Sequence, residues 1–220
     1  MMMMKVKRRR MKRTRLVLIM ALAFALCALL AGCGGGGSDG PAADEQAEEE
    51  AVNEEEMGTM TDNPVIEITM ENGGTIDIEL DPAAAPISVA NFLKLVDEEF
   101  YDGLTFHRII DGFMIQGGDP DGTGTGGSDE EIAGEFEQNG WNNPISHKRG
   151  VISMARSNDP NSASSQFFIT NTDSEFLDGG YAAFGRVLSG MDVVDEISAV
   201  DTDAGDRPLE PVVMKTIRRK

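Results

Sequence analysis

Residues 106–119 read FHRIIDGFMIQGGD, and this stretch decides the fold class that the whole sequence predicts. Two short apolar runs of the β type, Leu104–Ile110 and Phe113–Gln116, make up most of it. Arg108 is the one permanently charged cation of the stretch, which contains no Cys, Ser or Thr nucleophile. The stretch therefore offers apolar side chains and a hydrogen-bond donor rather than groups for covalent catalysis.

Further short β-type runs lie on both sides of this stretch. Before it, Val65–Met70 and Thr75–Leu80 are joined by the hairpin signal Asn72-Gly73-Gly74. After it come Val151–Met154, Gln166–Thr170, Ala182–Val187 and Val212–Ile217. One helix is predicted over Ile87–Glu98, with Pro86 at the start of this helix, and a second is predicted over Met191–Ala199. About eight short strands and two helices predict a mainly β fold, a closed antiparallel barrel rather than alternating βα units.

Five motifs in this order closely resemble the signature segments of the cyclophilins, the peptidyl-prolyl cis-trans isomerases. They are residues 106–119, Gly124-Thr125-Gly126-Gly127, Ile152-Ser153-Met154-Ala155, Ser165-Gln166-Phe167-Phe168-Ile169, and Phe176-Leu177-Asp178-Gly179 with Ala183-Phe184-Gly185-Arg186-Val187. The resemblance covers nearly all of residues 63–220. It implies a closed eight-stranded antiparallel β-barrel capped by two α-helices, with the active groove on the outer face because side chains fill the interior.

The activity implied by the resemblance needs no nucleophile, metal or redox group, so we predict no cofactor and no metal site. Rotation about an X-Pro bond meets a barrier of about 18–20 kcal/mol because amide resonance must be broken. A catalyst needs an apolar slot for the proline ring and donors that favour the twisted amide over the planar one. The fork of donors on Arg108 can hold the prolyl carbonyl and approach the prolyl nitrogen.

Carried over position by position, the resemblance implies one groove that binds proline-containing polypeptides. Its catalytic residues are Arg108, Phe113, Gln116 and Phe168. Its substrate-binding residues are His107, Met114, Gly124, Ala155, Arg156, Ser157, Gln166, Phe176, Leu177 and Tyr181. The apolar members would seat the proline ring, and the Gln116 amide would fix Arg108 or the peptide backbone by hydrogen bonds.

Some groove positions depart from the family pattern. Phe176 stands where many eukaryotic cyclophilins have Trp, and Tyr181 stands where they have His. We therefore predict that isomerase activity is retained and that cyclosporin binding is weak, because the indole N–H donor is lost. Arg156-Ser157 and Asp111 also depart from the pattern, and these changes bear on substrate preference rather than on the chemistry.

Other ligand sites are disfavoured. Residues 122–127 fit the pattern G-x-G-x-x-G, but they do not follow a buried strand within a βαβ unit. Residues 119–130 imitate the spacing of a calcium-binding loop, but Thr123 occupies a ligand position and no helix leads in. His107 and His147, without clustered Cys, do not predict a zinc site.

Residues 1–32 predict a bacterial lipoprotein signal peptide. A basic stretch at residues 5–15 precedes the apolar run Leu16–Leu30, and Leu30-Ala31-Gly32-Cys33 resembles a lipobox. Cys33 would carry the lipid and become the first residue of the mature chain, which would be extracytoplasmic and lipid-anchored to the cell membrane. The alternative is an uncleaved anchor, although residues 16–32 are short for about 30 Å of hydrocarbon.

The net charge of −19 is divided unevenly along the chain. Residues 1–32 hold eight of the 19 Lys and Arg and no acid, whereas residues 34–62 hold ten acids and no base. We expect residues 33–62 to form a disordered acidic tether, because they cannot bury enough apolar surface to fold. The acidic remainder argues against nucleic-acid binding. It also predicts a preference for proline segments with basic or neutral neighbours.

The sequence leaves two functions open for residues 63–220. The first is an active, monomeric peptidyl-prolyl isomerase that assists the folding of exported proteins. The second is a tethered binding module or chaperone that uses the same groove without turnover. Measured rates of X-Pro isomerisation distinguish the two.

Overall fold

The computed structural model describes residues 63–220. The predicted signal peptide at residues 1–32, the lipidation site Cys33 and the tether at residues 33–62 lie outside the described residues. The described part contains eight strands and two α-helices: β1 Val65–Met70, β2 Thr75–Leu80, α1 Pro86–Asp97, β3 Phe106–Ile110, β4 Met114–Gly117, β5 Val151–Met154, β6 Phe167–Thr170, β7 Ala183–Ser189, α2 Met191–Ser198 and β8 Met214–Arg219. Single 3₁₀ turns occur at Glu137–Asn139 and Glu175–Leu177.

The first hairpin forms where the sequence predicts it. Strands β1 and β2 pair in register and bury alternate residues, so that Ile66 and Ile78 face the core together. Met70 N donates a hydrogen bond to Gly74 O at 2.8 Å, which closes the turn. Gly73 has a φ of 90°, in the left-handed region that favours glycine.

Helix α1 begins at Pro86 and packs one face into the core. Its start lacks a local side-chain cap. Instead, the buried carboxylate of Glu135 accepts hydrogen bonds from the backbone amides of Ile87 and Ser88, each at 2.8 Å. The ring of Phe92, on the buried face, lies 5.4 Å from that of Phe167 on β6. Neither α-helix of residues 63–220 is long and apolar enough to cross a membrane.

All strand pairs are antiparallel, in the order β3-β4-β6-β5-β7-β2-β1-β8. The predicted closed barrel is corrected to a curled half-barrel, because no ladder joins the edge strands β3 and β8 within residues 63–220. An isolated bridge between Thr105 and Val213 lies at this seam. Farther along β3, Ile109 N donates to Asp206 O at 2.8 Å, so the loop at residues 199–213 replaces β8 beside β3.

Close packing explains the glycines at the end of β4, Gly117, and directly after it, Gly118. Gly118 has a φ of 85°, and a Cβ at this position would lie 2.4 Å from the backbone oxygen of Ser165. A Cβ on Gly117 would meet the Phe106 ring at 3.1 Å. A side chain at Gly118 would therefore push the end of β4 away from Ser165, and one at Gly117 would require its neighbours to shift by a few tenths of an ångström.

Candidate active site

Three of the four predicted catalytic residues lie in one row across neighbouring strands. Arg108 on β3 is the register partner of Gln116 on β4, and Gln116 is the partner of Phe168 on β6. Ser153 on β5 continues the row behind Phe168. Because paired residues point to the same face of a sheet, the strand register alone aligns this guanidinium, amide and ring on the outer surface.

Alternation along the strands separates this surface from the core. On β6, Phe167 and Ile169 enter the main core, whereas Phe168 joins a small outer apolar cluster with Met114 and Leu177. The outer cluster is completed by partly buried neighbours, namely Ile110, Phe113, Ala155 and Tyr181. It forms the floor and walls of a groove of about 550 Å³, a volume typical of ligand sites.

The groove brings together twelve of the predicted site residues. They are His107, Arg108, Phe113, Met114, Gln116, Gly124, Ala155, Arg156, Phe168, Phe176, Leu177 and Tyr181. The other two, Ser157 and Gln166, line a neighbouring cavity of about 470 Å³ that shares Gln116, Gly124, Ala155 and Arg156 with the groove. The predicted residues therefore form one continuous surface with two lobes.

A chain of side-chain hydrogen bonds runs from Arg108 into the second lobe. Arg108 Nη1 lies 3.4 Å from Gln116 Oε1, and Gln116 Nε2 donates to Gln166 Oε1 at 2.8 Å. Gln166 Nε2 in turn donates to the backbone oxygen of Gly126 at 2.7 Å. The long contact to Arg108 leaves its guanidinium donors largely available to a substrate.

The loop at residues 199–213 contributes residues that the sequence reasoning missed. Asp206 Oδ2 lies 3.4 Å from Arg108 Nε, while Gly205 and Arg207 line the groove. Thr123 also lines it. No local pattern could have found Asp206, because it lies 98 positions beyond Arg108 and reaches it only through the irregular seam between β3 and β8.

Aromatic rings form two walls of the groove. The Phe113 ring, in the turn before β4, lies 5.4 Å from the exposed ring of Phe176, which the second 3₁₀ turn holds at the rim. On the opposite side, Tyr181 meets Phe168 edge to face at 5.9 Å. The guanidinium of Arg156 lies 4.7 Å above the Tyr181 ring, in cation–π geometry. The structure thus places the aromatic residues predicted for the site around one groove.

Behind the groove floor, a buried histidine joins two groove-lining segments. His147 stacks on Phe168 at 6.1 Å, with its Nδ1 2.8 Å from Asp178 Oδ1 and its Nε2 3.0 Å from Ser153 Oγ. Burial lowers the pKa of His147, and the hydrogen bond that the ring donates to Asp178 opposes this shift. The line of Ser, His and Asp resembles a hydrolase triad, but Ser153 is fully buried, so no substrate can reach its hydroxyl.

His107 lies buried beside Arg108 at one end of the groove. Neither of its ring nitrogens has a hydrogen-bond partner within residues 63–220. Its pKa is lowered, chiefly by burial and further by the charges of Arg207 and Arg108, while Asp119 opposes the shift. Neutral His107 therefore adds no positive charge beside Arg108 at neutral pH.

The carboxylate of Asp119 organises the glycine-rich loop that supplies Gly124. It accepts hydrogen bonds from the backbone amides of Asp121, Thr123 and Gly124 at 2.6–3.0 Å. These bonds lower its pKa against the opposing effect of burial, which is the largest single influence. Its oxygens therefore serve the loop backbone. Within residues 63–220, no group of three or more His, Cys, Asp or Glu side chains is placed to hold a metal ion.

Comparison with known proteins agrees with this geometry. The family model described as cyclophilin type peptidyl-prolyl cis-trans isomerase/CLD matches residues 65–219, which is most of the chain. Peptidyl-prolyl cis-trans isomerase ppi1 of Schizosaccharomyces pombe is 44% identical over 146 residues, which cover 63% of this chain and 88% of that protein. Peptidyl-prolyl cis-trans isomerase B of Bacillus subtilis is 47% identical over 132 residues, covering 60% and 89%.

A solved structure shares the fold. The crystal structure of a Cryptosporidium parvum cyclophilin type peptidyl-prolyl cis-trans isomerase, obtained in the presence of the dipeptide Ala-Pro, superposes with a TM-score of 0.66. The two sequences are 31% identical, and the match covers 71% of this chain and 98% of that chain.

Proposed function

The chain belongs to the family of cyclophilin-type peptidyl-prolyl cis-trans isomerases, and from this premise we propose that it rotates X-Pro bonds in the groove around Arg108. The observation that carries the proposal is the row of Arg108, Gln116 and Phe168. It places a donor fork directly beside an apolar floor on the outer face of the sheet. Both parts that amide rotation requires are therefore adjacent.

The apolar cluster supplies the slot for the proline ring. Met114, Phe168 and Leu177 are buried and pack against one another. Their side chains are therefore already fixed in position before a proline ring binds. A preformed slot limits the ordering cost of binding. The relative from Cryptosporidium parvum was crystallised in the presence of Ala-Pro, and we extend this class of ligand to the present groove.

Arg108 then acts on the reacting amide. As the bond twists, resonance is lost and the prolyl nitrogen becomes pyramidal and basic, so a donor aimed at it binds the twisted form more strongly than the planar one. The guanidinium can hold the prolyl carbonyl with one N–H and approach the nitrogen with another. Gln116 Oε1 lies 3.4 Å from Nη1 of Arg108, and Asp206 Oδ2 lies 3.4 Å from its Nε. These two contacts limit the positions that the guanidinium can take.

A protease-coupled assay with a proline peptide tests this assignment. We expect Arg108→Ala to lower kcat/KM by about 10²-fold or more, the size of effect seen when one preorganised donor is removed. The matched control is Arg186→Ala on β7, an exposed arginine that pairs with Glu79 outside the groove. If both variants isomerise the peptide as fast as the unchanged protein, the catalytic role of Arg108 is wrong.

The same assay separates catalysis from binding without turnover. A chaperone that used only the apolar slot would bind a proline peptide and suppress aggregation of an unfolded protein equally well with Arg108→Ala. If the protein is an enzyme, the Arg108→Ala variant would still bind the peptide but would no longer accelerate isomerisation. Measuring both quantities on the same variant therefore decides between the two functions.

We also propose that the protein works as a monomeric bacterial lipoprotein, outside the cytoplasm, on exported proteins. The basis is the sequence of residues 1–33, whose basic, apolar and lipobox-like segments fit an export signal with lipid on Cys33. Mass spectrometry of the mature N-terminus tests this proposal. A lipidated Cys33 at the first position is expected, and an unmodified chain that begins before residue 33 would contradict it.

We propose that cyclosporin binds the groove around Arg108 weakly.

A further inference from the structure

Loop 199–213 also lines a second groove, which shares no lining residue with the groove around Arg108. It has a volume of about 740 Å³ and runs between α2, the β1–β2 hairpin and this loop. Val193, Ile197 and Val200, which are buried or partly buried, form its apolar floor. Leu209, a residue that is 62% exposed, also lines the groove. We call this site the α2 groove.

The rim of the α2 groove is acidic. Glu71, Glu196, Asp201 and Glu210 line it, and among the described residues, 63–220, no Lys, Arg or His does so. Within residues 63–220 none of these four carboxylates forms an ion pair. By contrast, Asp195, the residue before Glu196, pairs with Arg149 at 2.7 Å. The rim therefore holds uncompensated negative charge around an apolar floor.

These two properties restrict the occupant. An apolar floor attracts aliphatic side chains. Four unpaired carboxylates favour nearby cations and would be repelled by an anionic membrane surface. An open groove of this size accepts an extended chain segment rather than a folded domain. The chemistry thus matches a polypeptide segment in which leucine-like side chains are flanked by lysine or arginine.

The α2 groove and the groove around Arg108 are connected by loop 199–213, so a polypeptide bound in one can reach the other. Loop 199–213 places Leu209 and Glu210 in the α2 groove and Gly205 and Arg207 in the groove around Arg108. A client held in the α2 groove would keep its proline segments at high local concentration near the groove around Arg108. The two grooves are lined by different residues, so occupation of one leaves the other open.

We propose that the α2 groove is a second docking surface, which binds polypeptide segments that carry apolar side chains flanked by lysine or arginine. The probe is the fluorescein-labelled, proline-free peptide Lys-Lys-Leu-Leu-Lys-Lys. Its anisotropy is measured against the purified full-length chain in a neutral detergent at low salt. We expect saturable binding, and at least tenfold weaker binding when the four lysines are replaced by glutamate.

Two variants locate the binding site. The double substitution Glu196→Gln with Glu210→Gln is expected to weaken binding of the lysine peptide at least fivefold. Leu209→Ser is expected to do the same without disturbing the core, because Leu209 is exposed. The matched control is Glu98→Gln with Asp129→Asn, which removes the same charge at exposed positions outside the α2 groove. This control is expected to bind within twofold of the unchanged protein.

Three results would overturn the proposal. Equal weakening by the control pair would mean that the peptide senses only net charge. Displacement of the probe by an Ala-Pro peptide would place it in the isomerase groove. A dimer of the chain that Glu196→Gln with Glu210→Gln dissociates would make the α2 groove an interface between two copies. None of these results depends on isomerase activity, which the Arg108→Ala assay measures separately.

Discussion

The carboxylate of Asp206 lies 3.4 Å from the Nε of Arg108, although the two residues are 98 positions apart. The backbone oxygen of Asp206 also accepts a hydrogen bond from Ile109 N at 2.8 Å. Asp206 has a φ of 64°, a left-handed conformation that costs a residue with a Cβ about 1–2 kcal/mol. One strained loop residue thus covers the open edge of β3 and contacts the guanidinium of the candidate active site.

This relationship predicts a modest and selective effect of changing Asp206. Both partners are almost half exposed, so the ion pair contributes at most about 1 kcal/mol. We expect Asp206→Gly, which relieves the backbone but removes the carboxylate, to lower kcat/KM by up to about fivefold. Asp206→Asn keeps an oxygen near Arg108 and is expected to stay within about twofold. Peptide-assay kinetics check both, and a loss for Asp206→Gly as large as that for Arg108→Ala would contradict this account.

The buried histidine His147 predicts that stability falls in mild acid. Burial lowers its pKa in the folded protein, whereas in the unfolded chain the pKa stays near 6.5. Below pH 6.5 the unfolded chain therefore binds a proton that the folded protein does not. The free energy of unfolding should decrease as pH falls from 6.5, by up to about 1.4 kcal/mol per pH unit for this residue.

Urea unfolding at pH 7.0 and 5.5 measures this dependence. His147→Gln should reduce the decrease between the two pH values, leaving the contribution of His107, whose pKa is also lowered. The folded-state pKa values of Asp178 and Asp119 are lowered from 3.8. Protonation of these carboxylates therefore lowers the free energy of unfolding only at a pH more acidic than about 5.5. An unchanged pH dependence in His147→Gln would show that this imidazole is not the titrating group.

Local features of the fold were predictable from the sequence, and long-range ones were not. The hairpin at residues 72–74 and the start of α1 at Pro86 depend on neighbouring residues, and both were predicted correctly. The last strand was predicted two residues too early. Val213 forms only an isolated bridge, whereas Arg218 and Arg219 extend β8 and pair with acids near the end of α1.

The same distinction holds for the candidate site. Residues such as Arg108 and Gln116 lie within or beside one motif, so a resemblance could identify them. His147 and Asp206 carry no such pattern, because each reaches the groove through a distant backbone segment. The closed barrel was predicted from strand count, but strand count does not determine whether the last edge pairs. In this chain a loop covers the edge of β3 instead.

Two glycines separate the cost of backbone conformation from the cost of crowding. Gly112 and Gly118 both have positive φ, 71° and 85°. Within the described part of the chain, a Cβ on Gly112 would meet nothing within 4 Å, whereas one on Gly118 would lie 2.4 Å from Ser165 O. We expect Gly112→Ala to lower the free energy of unfolding by about 1–2 kcal/mol. Gly118→Ala should cost clearly more or prevent folding. Equal costs in urea unfolding would contradict the crowding account.

Arg156 is predicted to position the Tyr181 wall. Its guanidinium donates to the backbone oxygen of Gly180 at 2.8 and 3.0 Å and lies over the Tyr181 ring. A cation–π contact at a partly exposed site contributes about 0.5–1 kcal/mol. We expect Arg156→Ala to raise KM about 3- to 10-fold with little change in kcat, because it loosens a wall and leaves Arg108 in place.

The conservative variant Arg156→Lys distinguishes charge from geometry. A lysine keeps the positive charge but lacks the planar fork that reaches Gly180 while lying over the ring. It should therefore restore only part of the lost affinity. If Arg156→Lys matches the unchanged protein in KM, a nearby positive charge is sufficient and the positioning role is wrong.

Cyclosporin affinity should depend on the exposed ring of Phe176. This ring is 75% exposed at the rim and lies 5.4 Å from Phe113, so a larger indole fits without disturbing the core. Phenylalanine offers no N–H, whereas tryptophan would supply a donor at the edge of an apolar site. We expect weak binding by the unchanged protein and about 5- to 12-fold tighter binding by Phe176→Trp, since one hydrogen bond is worth about 1–1.5 kcal/mol. Phe176→Leu, which also lacks a donor, is the control and should bind no more tightly than the unchanged protein. Titration of the inhibition of peptide isomerisation measures all three, and nanomolar inhibition of the unchanged protein would show that the indole donor is not required.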